Sequence, residues 1–420
     1  MICDQRDFLY GGRLEQTGVE ITKVRQSFPA LSIALTAIVL FGQRIAITIS
    51  GIQLGIGFVA FFLFIVLGVL NHQIVILKNR LFFYGFSVTG LLITALIASY
   101  TSPFFSAQSL LLLCLLYSLS IFALSGDLRP VILSRFQGVV FIFAIIGIMQ
   151  FLTQLLGITY RDWLSFIPKQ NIIANYNYTI PIEYGSHLFK SNGIFCQEPS
   201  AFSQLMAVAI LLELYLFRQY ARLIVWIGAL LVSFSGTGLA LLAVGLIPMI
   251  FGLNIKTVVI FLGVGAIAMT AFLYSGFASY TLNRVAEFSS PNKSAHIRFV
   301  SPYVSYVEFL EDSDGIADKV MGLGPGASER YSWDLRVHFT PFMKLLLEYG
   351  VFGIVFFVYL VYIFFSRQPF WLAFALFVLY AFLSGGLLTP QTIVLYYLLL
   401  TLHPYHGVTM QPEHQGRIVL

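Results

Sequence analysis

The chain has 420 residues, of which 58% are hydrophobic and only 10% charged, with a net charge of +5 and a mean hydropathy of +0.85. A soluble domain carries roughly 25% charged residues to cover its surface, so two or three soluble domains are excluded. The charge excess does not point to nucleic acid, because Lys and Arg lie mostly in short connections and form no basic block.

From the N-terminus, residues 1–27 carry eight charges of both signs and read as a cytoplasmic segment, with no cleavable signal peptide. Apolar runs follow. Residues 81–126 and 368–412 contain no Asp, Glu, Lys or Arg over 46 and 45 positions. A membrane helix needs about 20 apolar residues. Twelve spans fit: 28–43, 51–70, 81–100, 106–125, 135–157, 199–217, 222–234, 237–253, 257–276, 348–365, 369–386 and 390–403. Thr101-Ser102-Pro103 divides the first long run, and Gly385-Gly386 with Thr389-Pro390 divides the second, as Gly and Pro mark sharp reversals. The division at Ser233–Gly238 is the alternative to one long re-entrant helix. The expected fold is an all-α polytopic membrane protein with about 12 transmembrane helices and two long extracytoplasmic loops.

Cations in short loops set orientation. With the N-terminus inside, the inner connections hold 13 Lys and Arg residues and the short outer loops only Arg44. Both termini are therefore expected in the cytoplasm. Segments 28–157, 199–276 and 348–403 hold helices 1–5, 6–9 and 10–12, and 404–420 is a cytoplasmic tail. The long connections 158–198 and 277–338 fall outside, the second extending by membrane re-entry to 347. Together they carry 20 of the 43 charged residues. The polar chemistry is thus gathered at one membrane face.

Three constellations stand out there. Lys190-Ser191-Asn192-Gly193 leads to Glu198-Pro199-Ser200, where Pro199 suits the first helical position and a carboxylate is favourable at a helix N-terminus by itself. The functional alternative is a groove-edge acid beside the Lys190 cation. Met321-Gly322-Leu323-Gly324-Pro325-Gly326 permits close backbone approach, with N–H groups able to face an anion; a plain reversal is the simpler account. His338 precedes an apolar run bearing Lys344 and Glu348, near Arg336. Glu311-Asp312-Ser313-Asp314-Gly315 reads as a solvated acidic turn, since Leu323 stands where a calcium loop needs its bidentate Glu. Cys3, Cys114 and Cys196 are too scattered for a disulfide framework or metal-ligand spacing.

With Ser233-Phe234-Ser235-Gly236-Thr237-Gly238 and Glu348-Tyr349-Gly350, these motifs resemble, in order and layout over residues 30–400, the bacterial O-antigen polymerase and O-antigen ligase superfamily. The resemblance implies a metal-independent glycosyltransferase of the inner membrane without cofactor. It acts on polyprenyl-diphosphate-linked oligosaccharide at the periplasmic face, among membrane lipids, with a chain-length regulator and a flippase as partners and no nucleic acid. Lys190, Arg298 and Arg336, with the close-approach glycines Gly324 and Gly326, would face the diphosphate. His338 would be the general base and Glu198 the second candidate. Family members commonly have Arg at the position of Lys190, and many ligases have Asn where this chain has Phe339, which favours a polymerase. A ligase is the alternative within the family. A transporter or scaffold subunit for polysaccharide export is the alternative of another class, although transporters usually carry polar residues near mid-membrane.

Overall fold

The computed structural model describes residues 31–49, 52–125, 128–174, 176–183, 185–251, 270, 293–312, 316–383 and 386–404. Most of these are helical. In chain order the first eight helices are α1 (Leu31–Arg44), α2 (Ile56–Leu70), α3 (Lys78–Thr101), α4 (Ala107–Ser118), α5 (Arg129–Leu155), α6 (Pro199–Leu212), α7 (Leu223–Val232) and α8 (Gly236–Phe251). Among the described residues of the second long connection there are four short helices: α9 (Ser294–Phe299), α10 (Ser301–Asp312), α11 (Ile316–Met321) and α12 (Ala327–Arg330). Then come α13 (Pro341–Phe365), α14 (Phe370–Val378) and α15 (Pro390–Thr401).

Among the described residues, four helices are long and apolar enough to cross a membrane: Lys78–Thr101, Arg129–Leu155, Pro199–Phe217 and Pro341–Phe365. This differs from the twelve full spans expected. Seven further apolar helices run only 10–17 residues, and at 1.5 Å per residue they reach about 15–26 Å, short of a ~30 Å hydrocarbon core. The expected segment 257–276 (apart from Thr270), the N-terminal segment and the tail from 405 onward lie outside the described residues. Several boundaries also move: α2 starts at Ile56 rather than 51 and α4 ends at Ser118 rather than 125, and two helix starts shift for a shared reason. Helix α5 starts at Arg129 rather than 135, with Pro130 in its first turn, and α13 starts at Pro341 rather than 348. In both cases the cation or proline read as loop belongs to the first helical turn, where proline is well tolerated.

The core centres on α6, buried along nearly its whole length, with α5, α7 and α8 packed around it and α3 against α13. Outward faces remain apolar: Phe82, Phe86, Leu96, Ile224 and Val358 are all at least 60% exposed. The turn at 233–235 separates α7 from α8, as the Ser233–Gly238 motif suggested, and Gly238 packs so close to the Ser203 carbonyl that a Cβ would lie 2.5 Å from it.

The connections segregate to the two ends of the bundle. At one end, the short strand Ile74–Ile76 pairs antiparallel with Phe122–Leu124, and Arg367–Gln368 with His403–Pro404. At the other end, a hairpin at 46–55 packs on the first long connection. Here Arg44, 1% exposed, forms a two-pronged ion pair with Asp162 at 2.9 and 2.5 Å, donates to the Ile194 carbonyl, and lies 3.7 Å from the Tyr178 ring centre.

Candidate functional site

The first long connection is held by Gln150 of α5. Its Oε1 accepts from Ser191 Oγ (2.8 Å) and from the backbone N–H groups of Asn192 and Gly193, while its Nε2 donates to Asn192 Oδ1 (3.0 Å). Gly193 has φ +61 and sits under Phe202, where a Cβ would come within 2.7 Å. The Ser191-Asn192-Gly193 motif is therefore a clamp that fixes its two neighbours in sequence, Lys190 before it and Glu198 after it.

Glu198 occupies the N-cap of α6 in extended conformation, with Pro199 at the first helical position. Its carboxylate makes no capping bond to the helix backbone. It instead accepts from Ser200 Oγ (3.1 Å) and pairs at 2.9 Å with the Arg298 guanidinium, carried by α9 one hundred residues later. The backbone N–H of His338 donates to the Ile297 carbonyl (3.1 Å), which ties the end of the second connection beside Arg298. The two long connections thus meet, and four of the expected site residues (Lys190, Glu198, Arg298 and His338) converge.

They line two adjoining cavities. One, of about 520 Å³, is mostly apolar, with Lys190 and Thr237 among Ile180, Phe234, Ala240 and Phe299. The other, of about 820 Å³, is more polar, with Tyr176, Gln204, Trp333, His338, Lys344 and Gln391 on its walls. Glu198, Ser200, Arg298 and Leu383 line both, so the ion pair stands at the partition. His338 is exposed at the cavity wall; partial desolvation and the nearby Arg298 charge lower its pKa from the ordinary value, against the opposing pull of Glu198. A shift in that direction favours the neutral ring, the form that accepts a proton. Burial, with the Glu198 and Glu329 carboxylates adding to it, pushes the Tyr176 phenol up, while Arg298 opposes.

The remaining expectations separate. Arg336 is exposed and lines neither cavity. Gly324 and Gly326 are buried, with φ of +90 and +81, and line neither cavity. The turn does face an anion, but it is the protein's own. Glu348 Oε1 accepts from Ser328 Oγ (2.6 Å) and Ser328 N–H (3.2 Å), with the Gly326 amide beside it. The Leu323 and Gly324 N–H groups bond the Leu347 and Glu348 carbonyls. The turn docks on a break in α13 at Gly350, φ +53 and ψ −129. Lys344 links the assembly to the polar cavity, contacting Glu329 at 2.6 Å and Glu348 at 3.9 Å. This charge holds the Glu329 carboxyl below its usual range. Residues 313–315 of the acidic turn lie outside the described residues.

Sequence reasoning missed Tyr176, Trp333, Gln204 and Gln391. Gln204 and Gln391 bond each other at 2.9 Å across 187 residues, a pairing with no local signature. Lys344 and Glu348, four apart in an apolar run, were the available signal for the buried ion pair. No family model, no curated protein and no solved structure matches the chain.

Proposed function

We propose that this chain is a membrane glycosyltransferase that joins polyprenyl-diphosphate-linked oligosaccharide repeat units at the periplasmic face of a bacterial inner membrane. In this reading about twelve segments are membrane-embedded and both termini are cytoplasmic. The observation that carries it is the meeting of Glu198, Arg298, Lys190 and His338 from two remote connections, at the bundle end away from the basic short turns. A neutral imidazole and two cations across adjoining apolar and polar cavities suit a lipid diphosphate donor and a hydroxyl acceptor.

In the proposed step, an acceptor hydroxyl oxygen forms the bond to the anomeric carbon as that carbon's bond to the diphosphate oxygen breaks. His338 takes the hydroxyl proton. The diphosphate leaves with the bonding electrons, and Lys190 and Arg298 match the charge it gains. Glu198 keeps Arg298 oriented until the donor anion competes for it. The Phe339 that follows His338 favours a polymerase over a ligase. The test is turnover of purified lipid-linked repeat units by membranes holding equal amounts of wild-type, Arg298→Ala and His338→Ala protein. Wild-type polymer yield and length from both variants would overturn the catalytic reading and favour the scaffold or transporter.

A further inference from the structure

The polar cavity has a floor made by two amides. Glu198 stands at the N-cap of α6, and Gln204 lies six residues further along that helix, about 9 Å deeper at 1.5 Å per residue. Gln391 meets Gln204 there from the first turn of α15, just after the Thr389 cap and Pro390. Both glutamines line the cavity. On the far side of the pair lies only a space of about 40 Å³ among Phe136, Leu205 and Val208, so the cavity ends at the amides.

The pair has a direction. Gln204 Nε2 donates to the Leu383 carbonyl at 3.1 Å, and a carbonyl can only accept, so Gln204 turns its Oε1 toward Gln391. Gln391 then presents its Nε2 to that oxygen at 2.9 Å, which points its own Oε1 elsewhere. The Gln391 Oε1 accepts from no group among the described residues, yet it is not sealed inside the protein. One hydrogen on Gln391 Nε2 is also uncommitted. The relay therefore starts on a backbone carbonyl and ends on an acceptor and a donor side by side at the cavity floor.

The cavity wall adds aromatic area. The Trp333 indole N–H is spent on the Ser328 carbonyl at 3.0 Å, and its ring packs edge-on against Phe339 with centres 5.1 Å apart. Trp333 thus offers the cavity a fixed ring and no donor. A neutral sugar has the matching mix, with C–H faces that pack on aromatic rings and hydroxyls that both donate and accept. An anionic group suits the floor poorly, because it only accepts and would meet the Gln391 oxygen.

We propose that Gln391, oriented by Gln204, recognises a hydroxyl of a neutral sugar in the acceptor glycan, which enters the polar cavity below the Glu198–Arg298 ion pair. The inference rests on the glycosyl-transfer reading and deepens it, because acceptor choice then belongs to an amide relay between α6 and α15 rather than to the charged residues.

The probe is the repeat-unit oligosaccharide freed from its lipid diphosphate by mild acid, taken from the cells that make it. Its binding to the full chain in detergent is read by saturation-transfer NMR. The wild-type chain should bind it. Gln391→Leu and Gln391→Met should bind about three- to tenfold more weakly, the range for one lost neutral hydrogen bond, with Gln219→Leu at the opposite end of the bundle unchanged. No binding by the wild-type chain, or undiminished binding by both Gln391 variants, overturns the glycan site. Turnover by Arg298→Ala and His338→Ala judges the reaction separately, so a failed site with depleted turnover in those two variants leaves the glycosyl transfer standing. Should neither Gln391 variant fold, hydrogen exchange of the wild-type chain decides. Protection by the oligosaccharide within residues 200–205 and 387–393 supports the site, and protection absent or confined elsewhere overturns it.

Discussion

Arg298 and His338 sit close enough to influence each other's charge, and that coupling makes their roles separable by experiment. Losing one preorganised donor to a developing anion costs about 2.7–4 kcal/mol, so Arg298→Ala should lower polymer formation by about two to three orders of magnitude at unchanged protein level. Arg298→Lys should recover part of this, because an ammonium cannot form the planar fork. His338 has a folded pKa below its unfolded value, so its proton is lost more readily in the folded chain. Its use as a base then predicts activity that rises with pH through a midpoint below about 6.5 and stays level above it. The linkage has the same sign: below about 6.5 the unfolded chain binds the proton more readily, so stability falls as pH drops through the folded value. An activity profile that instead falls between pH 6 and 8 would remove His338 from the base role. Glu198→Gln keeps the shape but releases Arg298, so substrate affinity should shift with a smaller change in turnover. The proposed cations make chelation irrelevant, so turnover in excess EDTA should match the untreated enzyme.

The glycine-rich turn and α13 form one packing unit, and here sequence and structure part in an instructive way. The glycines were legible as a backbone requirement, and all three have positive φ. Their role was not, because the carboxyl group they face, on Glu348, lies more than twenty residues further on. A Cβ on Gly350 would lie 2.0 Å from the Val320 carbonyl, in a backbone conformation already unsuited to other residues. Gly350→Ala should therefore cost several kcal/mol (of the order of 3, as for other buried steric conflicts) and deplete folded protein. Gly85→Ala in α3 meets nothing within 4 Å and should leave the unfolding midpoint within a degree or two. The comparison is read by thermal unfolding in detergent. Equal midpoints for both variants would mean that the turn and the helix break are not coupled.

The chain's division into two polar ends and an apolar middle was readable from charge placement alone, since ions are costly in hydrocarbon. The convergence of Lys190, Glu198, Arg298 and His338 was readable only as an expectation carried by a resemblance. The amide pair Gln204–Gln391 was not readable, because a contact across 187 residues leaves no periodic trace. Orientation is directly testable. A Ser313→Cys variant should react with a membrane-impermeant thiol reagent in cells with a permeabilised outer membrane, and protection there would invert the assignment. One further consequence concerns biogenesis. Arg44 is the lone cation in the short loops assigned outside, and its partner Asp162 lies 118 residues downstream. During synthesis at about 5–20 residues per second, the first hairpin would emerge on the far side of the bilayer and wait about 6–24 s before its counter-charge was made. The nascent chain would spend that interval carrying one unmatched charge, which makes the opening pair of helices the step at which a change at Arg44 should act on insertion rather than on the finished protein.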